Sequence, residues 1–442
     1  MQQSLVLERT ENHSGTAWSP ITRIAFRFCF VYFGLFCLGG PIFQTLLGDD
    51  EGFLPQTALR WIQMRPILDW AAVHLFHLDP ALLYAVSGSG DRAFNWVSLA
   101  CWLFLAGAAT LIWSVLDRRR TNYVTLHKWF RLSIRFGLAG QMLFYGIAKA
   151  IPVQMPFPPL ERLVQPFGDF SPMGVLWSQV GLSPPYEILL GSAEILAGLL
   201  LILPRTAMLG ALLCLAETAQ VFILNMTFDV PVKIHSFHLL LLSLVLLAPD
   251  FRRLANFFLS GRAAAPSTQP QLFRTRRANR IASAAQVALA LWIIVSAVHT
   301  NWMLWVGPYG GGRDTPPLYG VWNVAAFSVD GQQRPPLLTD NVRWRRVIFD
   351  RPGEVTFQGM DDSFVQKEAK VEIDRHMVTL AKSDGESRAT TFTFEQPTAN
   401  RLMLNGELNG HKIRMALERL DTKSFPLVER EFHWVQEDVY NR

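Results

Sequence analysis

The sequence predicts an α-helical transmembrane bundle of about seven helices followed by an all-β antiparallel barrel. Three observations predict it. Seven apolar runs lie before residue 306, most of them near the roughly 20 residues that a bilayer requires. Beyond residue 307 the pattern changes to about eight short alternating segments separated by tight turns, which is the signature of a sandwich or closed barrel. Finally, only 17% of the 442 residues are charged while 50% are hydrophobic, against about 25% charged in ordinary soluble chains, and the apolar excess is concentrated in the first part.

Taken in order, a polar tail (1–23) precedes a first apolar run over 24–47, which has Arg23 and Arg27 at its start and Gly39-Gly40-Pro41 near its far end. A polar-aromatic loop follows, with the amphipathic piece "ALRWIQMRPILDWAAVHLFHL", suited to lying along a membrane surface, and the turn "SGSGD" (87–91). The second run (93–116) stops at Arg118-Arg119-Arg120. The third (132–151) begins behind Lys128, Arg131 and Arg135 and ends at a proline-rich stretch, 152–185, expected outside the cytoplasm. The fourth and fifth (186–203 and 206–224) form a hairpin about the Pro204-Arg205 break. The sixth (234–248) ends at Arg252 and Arg253. A linker of Ala/Pro/Ser/Gln composition (261–271) leads to the seventh (281–305). The implied domains are 24–126, 127–258, a cytoplasmic linker 259–280, the last helix 281–306, and an outer domain 307–442.

The basic clusters decide topology. Each flanks an apolar run, so the net charge of +5 reports orientation rather than nucleic-acid binding. The N-terminus is expected in the cytoplasm, and seven crossings place the C-terminal domain outside. Cys29, Cys37, Cys101 and Cys214 all fall in apolar runs without a C-x-x-C pair, which argues against disulfide exchange. No cleavable signal peptide is expected from the polar start.

The outer domain reads as strands over 318–329, 341–349, 354–359, 364–373, 377–381, 390–394, 401–404 and 412–420. Gly320-Val321-Trp322, opening the first of them, resembles the G-x-W signature of lipocalin-like (calycin) barrels, a family that uses the barrel interior for apolar ligands. The aromatic closing segment "FPLVEREFHWVQEDVYNR" is expected to dock the barrel onto the membrane part.

Residues 132–254 resemble the DoxX family of four-helix membrane proteins. The resemblance is carried by "RFGLAGQMLFYGIAKAI" (135–151), with its small residues and Lys149, and by "LLGSAEILAGLLLILPR" (189–205), with its central Glu194. It implies a bacterial inner membrane, association with oxidoreductase assemblies, and a link to quinone. The extra helices and the outer barrel depart from that family's compact form. The order of a multipass domain and then an outer β-domain also resembles vitamin K-dependent carboxylases, with no shared motif.

The residues themselves offer one concentrated candidate site. Glu194 lies ten residues before the hairpin break and Glu217 twelve after it, so both sit roughly 15–18 Å from the turn at 1.5 Å per residue. A carboxylate at that depth costs about 2.5–3.5 kcal/mol and marks a functional site by default. Two readings stay open. One is a proton-handling or ligand site, with Gln220 a turn beyond Glu217. The other is an interhelical pin, with a carboxyl protonated or paired to Arg135 or Lys149. Towards the outer end, Tyr145, Lys149, Asn225, Asp229, Lys233, His235 and His238 are expected to gather as a ligand-binding cluster, since His, Tyr and Lys supply the hydrogen bonds and proton route that a quinone headgroup needs. The alternative is a set of solvated interfacial residues. Haem ligation would need a partner such as His74 or His77, because two histidines on one helix face cannot take opposite axial positions. "SGSGD" is read either as an anion-binding turn or as a plain turn. No metal site is expected. The expected partners are the lipid bilayer, a lipophilic molecule of quinone type, and a membrane or periplasmic protein. A non-enzymatic assembly module, with a lipid-like ligand in the barrel, is the competing reading.

Overall fold

The structure is a computed structural model that describes residues 17–40, 42, 45, 55–83, 87–260, 272–381, 390–408, 410–430 and 432–441. The chain forms two compact units, one of Met1–Gln154 with Pro185–Trp302 and one of Met155–Pro184 with Met303–Arg442.

The first unit is helical. Its long helices are α1 (Pro20–Gly39), α2 (Ala93–Leu116), α3 (Val124–Ala150), α4 (Pro184–Ile202), α5 (Ala207–Thr227), α6 (Lys233–Leu247) and α7 (Arg276–Val306). A single 3-10 turn extends α6 into a further helix, Phe251–Leu259. Among the described residues, six of these helices are long and apolar enough to cross a membrane by length and composition, α6 counting with its extension as Lys233–Leu259, as expected of a multipass membrane protein. The exception is α3, which is 27 residues long but carries Lys128, Arg131, Arg135 and Lys149. Of these four, Lys149 is buried while Lys128, Arg131 and Arg135 are half-buried near the start of the helix. Fourteen of its residues are buried, against four in the longer α7, so α3 is the inner helix, and residues hidden from lipid need not be apolar.

Local chemistry sets the helix ends. Ser19 caps α1 by accepting from the Thr22 amide at 3.1 Å, with Pro20 in the first turn, where its missing N–H costs nothing. Arg27, a topology marker in the sequence, is buried. It donates to the Tyr123 hydroxyl at 2.6 and 3.0 Å, to Ser114 Oγ at 2.8 Å and to the Asp117 carbonyl at 3.1 Å, while Tyr123 donates to the Asp117 carboxylate at 2.9 Å. This network ties α1 to the end of α2 and the start of α3. The amphipathic piece folds as helices Gln56–Ile62 and Arg65–His74. Leu68, Ala71 and Ala72 turn inward and Trp61, Ile67 and Trp70 stay exposed.

The second unit is a closed antiparallel barrel. Its strands are β1 (Gly320–Val329), β2 (Gln332–Gln333), β3 (Trp344–Phe349), β4 (Glu354–Gly359), β5 (Phe364–Glu372), β6 (Met377–Leu380), β7 (Thr390–Thr398), β8 (Arg401–Leu408) and β9 (His411–Leu420). Each of β3 to β8 pairs with the next, and β1 pairs with both β3 and β9, closing eight strands. All eight coincide with the segments read from the sequence. The two-residue β2 was not anticipated, although its signal was present. Asp330 and Gly331 both have positive φ, the requirement of a type I′ hairpin turn that Asp-Gly meets.

Side-chain alternation fills the barrel. Trp322, Phe327, Phe349, Phe357, Phe392 and Met415 belong to one buried cluster that occupies the interior. Trp322 donates from Nε1 to the Leu318 carbonyl at 2.8 Å, and the Arg419 guanidinium stands 6.0 Å above its ring. Gly320 makes room for that arginine, with φ of +142° and only 3.0 Å between a built Cβ and Arg419 Nε. The stretch Met155–Pro184, expected as a loop of the bundle, instead folds with the barrel. Leu160 packs on the outward-facing Val321 and Ile348, and Glu161 lies 3.8 Å from Arg351.

A polar seam in the helical unit

The centre of the candidate site is an ion pair. Lys149 Nζ on α3 donates to both carboxylate oxygens of Glu194 on α4, at 2.8 and 2.7 Å, and both side chains are buried. Glycines bring the two helices together there. A Cβ on Gly191 would stand 2.5 Å from the Gly146 carbonyl oxygen and 2.8 Å from Lys149 Cβ, and one on Gly198 would stand 2.8 Å from Leu143 Cγ. This is the close backbone approach that small residues permit between membrane helices. Of the two partners anticipated for a midplane carboxyl, Lys149 is the one in place. Arg135 is elsewhere, donating to Gln286 Oε1 on α7.

Glu217 on α5 is only partly buried. It stands within electrostatic reach of Glu194 and Lys149 without a direct hydrogen bond to either. Gln220 is exposed. Asn225 is buried and donates to Ser236 Oγ at 3.0 Å, pinning α5 to α6. Asp229 and Lys233 pair with each other at 2.8 Å, with the Asp229 side chain 83% exposed, and Lys233 Nζ also lies 3.9 Å from Asp91.

The two histidines differ. His238 is buried with both ring nitrogens engaged, Nδ1 with the Ile234 carbonyl and Nε2 with the Tyr32 hydroxyl, each at 2.6 Å, and it stacks on Phe36 at 4.0 Å. Nδ1 donates to the carbonyl and Nε2 is taken up by the Tyr32 hydroxyl, which makes this imidazole a structural link between α6 and α1. It has no nitrogen left for a metal. His235 is less satisfied. Gln141 donates from Nε2 to Thr45 Oγ1 at 2.8 Å, so its Oε1 accepts from His235 Nε2 at 2.9 Å. His235 Nδ1 is then a bare acceptor, buried and without a hydrogen-bond partner. The Tyr145 ring lies 6.0 Å from the His235 ring and 6.0 Å from Lys149 Nζ.

The site is therefore a seam along α3, in which Gln141, Tyr145 and Lys149 follow one another at i, i+4 and i+8 on one face. Sequence reasoning missed Gln141 and Tyr32, although the four-residue spacing on α3 was visible. It also missed Glu187, fully buried one heptad before Glu194 on α4. His74 bonds to the Trp70 carbonyl at 2.9 Å and His77 is exposed with positive φ, so neither joins the seam. The "SGSGD" turn has a definite task. Both oxygens of Asp91 accept from the first amides of α6, Lys233 N at 2.8 Å and Ile234 N at 3.0 Å. The turn itself supplies the anion that a helix N-terminus favours.

Comparison with known proteins identifies a relative. The chain is 32% identical over 146 residues to an uncharacterized protein, YwoB, of Bacillus subtilis (strain 168), across 87% of that protein and 30% of this chain. The chain belongs to the family of that protein. No family model matches the chain. No solved structure matches it either. The match covers less than a third of this chain.

Proposed function

We propose that the helical unit is a DoxX-type membrane module that binds a lipophilic redox molecule, a quinone in chemical class, at the seam of Tyr145, His235 and the Lys149–Glu194 pair. The observation that carries this reading is the buried, unpartnered Nδ1 of His235, on a ring whose centroid lies 6.0 Å from that of Tyr145. A quinol hydroxyl can donate to that nitrogen while the Tyr145 hydroxyl donates to a quinone oxygen. Leaving such an acceptor bare in an apolar bundle costs about 1–3 kcal/mol, an expense that a ligand would offset. Glu217, partly open and close in charge to Lys149, is the route by which a proton leaves the seam. Electrons pass to or from a partner oxidoreductase in the same membrane, a bacterial inner membrane with the arginine clusters on the cytoplasmic side and the barrel outside.

The test is solvent extraction of the purified protein and mass spectrometry of what it carries. A stoichiometric quinone is expected, lost in the Tyr145→Phe, His235→Leu double variant. An empty wild-type bundle would defeat the proposal. The paired variant Glu194→Gln, Glu217→Gln separates roles: unchanged quinone content with normal folding reduces the two acids to pins. A second reading treats the barrel as an assembly module. Because its own side chains fill its interior, it would act through its outer surface on a periplasmic partner rather than by enclosing a lipid.

A further inference from the structure

We infer that the basic end of the helical unit carries a binding site for the phosphate headgroup of an acidic membrane lipid, with the acyl chains in the apolar groove beside it. A cavity of about 240 Å³ has Lys128, Arg131 and Arg135 from α3 and Asn279, Ser283 and Gln286 from α7 on its polar side, with apolar residues such as Pro204, Met208 and Leu246 completing its wall. Leu132, Leu272 and Gln286 also line a second space of about 600 Å³. Apart from Ser133, the rest of that groove is walled by apolar residues including Trp129, Phe136, Ile281 and Leu289. A cavity carrying three cations thus shares wall residues with an apolar trough, the shape of an amphiphile.

Charge points to an anion. Lys128, Arg131 and Arg135 lie at i, i+3 and i+7, one face of α3, where like charges repel one another. Asp250 there is shared by Arg131 at 3.3 Å and Arg253 at 2.6 Å. Arg135 donates from Nη2 to Gln286, but its Nε is buried with no acceptor. A phosphate oxygen in the cavity supplies that acceptor and relieves the repulsion, and guanidinium suits phosphate geometrically. The apolar trough selects a lipid over a free ion. By the positive-inside rule this end faces the cytoplasmic leaflet, where acidic lipids are concentrated and basic pockets between helices collect them. The site is independent of the quinone proposal, since Arg135 and Tyr145 are ten residues apart on α3, about 15 Å.

The experiment uses the full chain in detergent, titrated with phosphatidylglycerol, phosphatidylcholine or inorganic phosphate, and reads binding by native mass spectrometry alongside the melting temperature. Phosphatidylglycerol is expected to bind about tenfold more tightly than phosphatidylcholine and to raise the melting temperature, with inorganic phosphate at equal concentration doing neither. Arg135→Gln is expected to weaken phosphatidylglycerol about tenfold, the order of one charge-assisted hydrogen bond. Ala285→Phe, at an exposed groove position, blocks the trough without touching a charge and is expected to weaken it similarly. Equal binding of both lipids overturns the inference, as does a shift reproduced by inorganic phosphate alone, which would mark a free-anion site. Should Arg135→Gln fail to fold, Ala285→Phe decides, and affinity retained there also overturns it.

Discussion

The two units solve opposite burial problems with the same side-chain alphabet. In the helical unit Phe104, Leu111, Leu116 and Leu189 are more than two thirds exposed, while Lys149, Glu194, Arg27 and Asn225 are buried. In the barrel the order reverses. Along β9, Ile413, Met415 and Leu417 are buried and Lys412, Arg414 and Glu418 are exposed. The difference teaches what the surrounding solvent rewards. Lipid gives apolar surface no reason to hide, so helices associate through close packing and interior polar contacts. Water gives it every reason, so the barrel strands turn their apolar side chains inward.

The largest expected effect tests the bundle side of that contrast. Glu194→Ala leaves Lys149 buried and unpaired, and the loss is expected at about 3–5 kcal/mol, whereas the double variant Lys149→Met, Glu194→Leu should recover most of it. Denaturant titration in detergent measures both, and a mild single variant would show that the pair is not as sealed as its geometry indicates. Next comes Gly191→Leu, which must separate α3 from α4 and is expected to cost about 1–3 kcal/mol; chemical denaturation in detergent should register the loss, and an unchanged midpoint would remove close approach from the explanation. The smallest effect belongs to the barrel. Burial pushes the Asp340 carboxyl up, but the amides of Val342 and Arg343 together with Arg334 outweigh it and hold the group below the usual carboxylate range. A folded pKa below the unfolded one, near 3.9, contributes stability above that pH and loses it as pH falls through the folded value. Asp340→Asn is therefore expected to cost about 1 kcal/mol at pH 7 and to lose its effect in strong acid, as read by hydrogen exchange of β1 and β3 across the pH series. A cost that persists at low pH would assign the contribution to shape instead of charge.

Much of the fold was legible because its signals are local. The apolar runs, the arginines at their ends, and strands such as β4 and β9, with alternation and a bounding turn, all lie within one window of sequence. The candidate site was legible only in part. Glu194 announced itself as an acid at membrane depth, and its partner was one of two named. That Lys149 and not Arg135 takes it depends on Gly146 facing Gly191, which no spacing within one helix can state. Lys233, His235 and His238 were grouped by proximity along α6. Their three different fates, a surface pair with Asp229, an open acceptor and a structural link to Tyr32, follow from what α1, α3 and α5 present to each position.

By itself the sequence determined the two kinds of unit, the placement of the helices and strands, and the residue types that must stay out of lipid, because periodicity and hydropathy act over distances shorter than one element. The tertiary structure alone decided which charges meet, that Asp91 seats on the first turn of α6, and that Met155–Pro184 folds with the barrel rather than with the helices flanking it. Those outcomes depend on contacts between residues far apart in the chain, and their energies arise only once packing has excluded solvent from both partners.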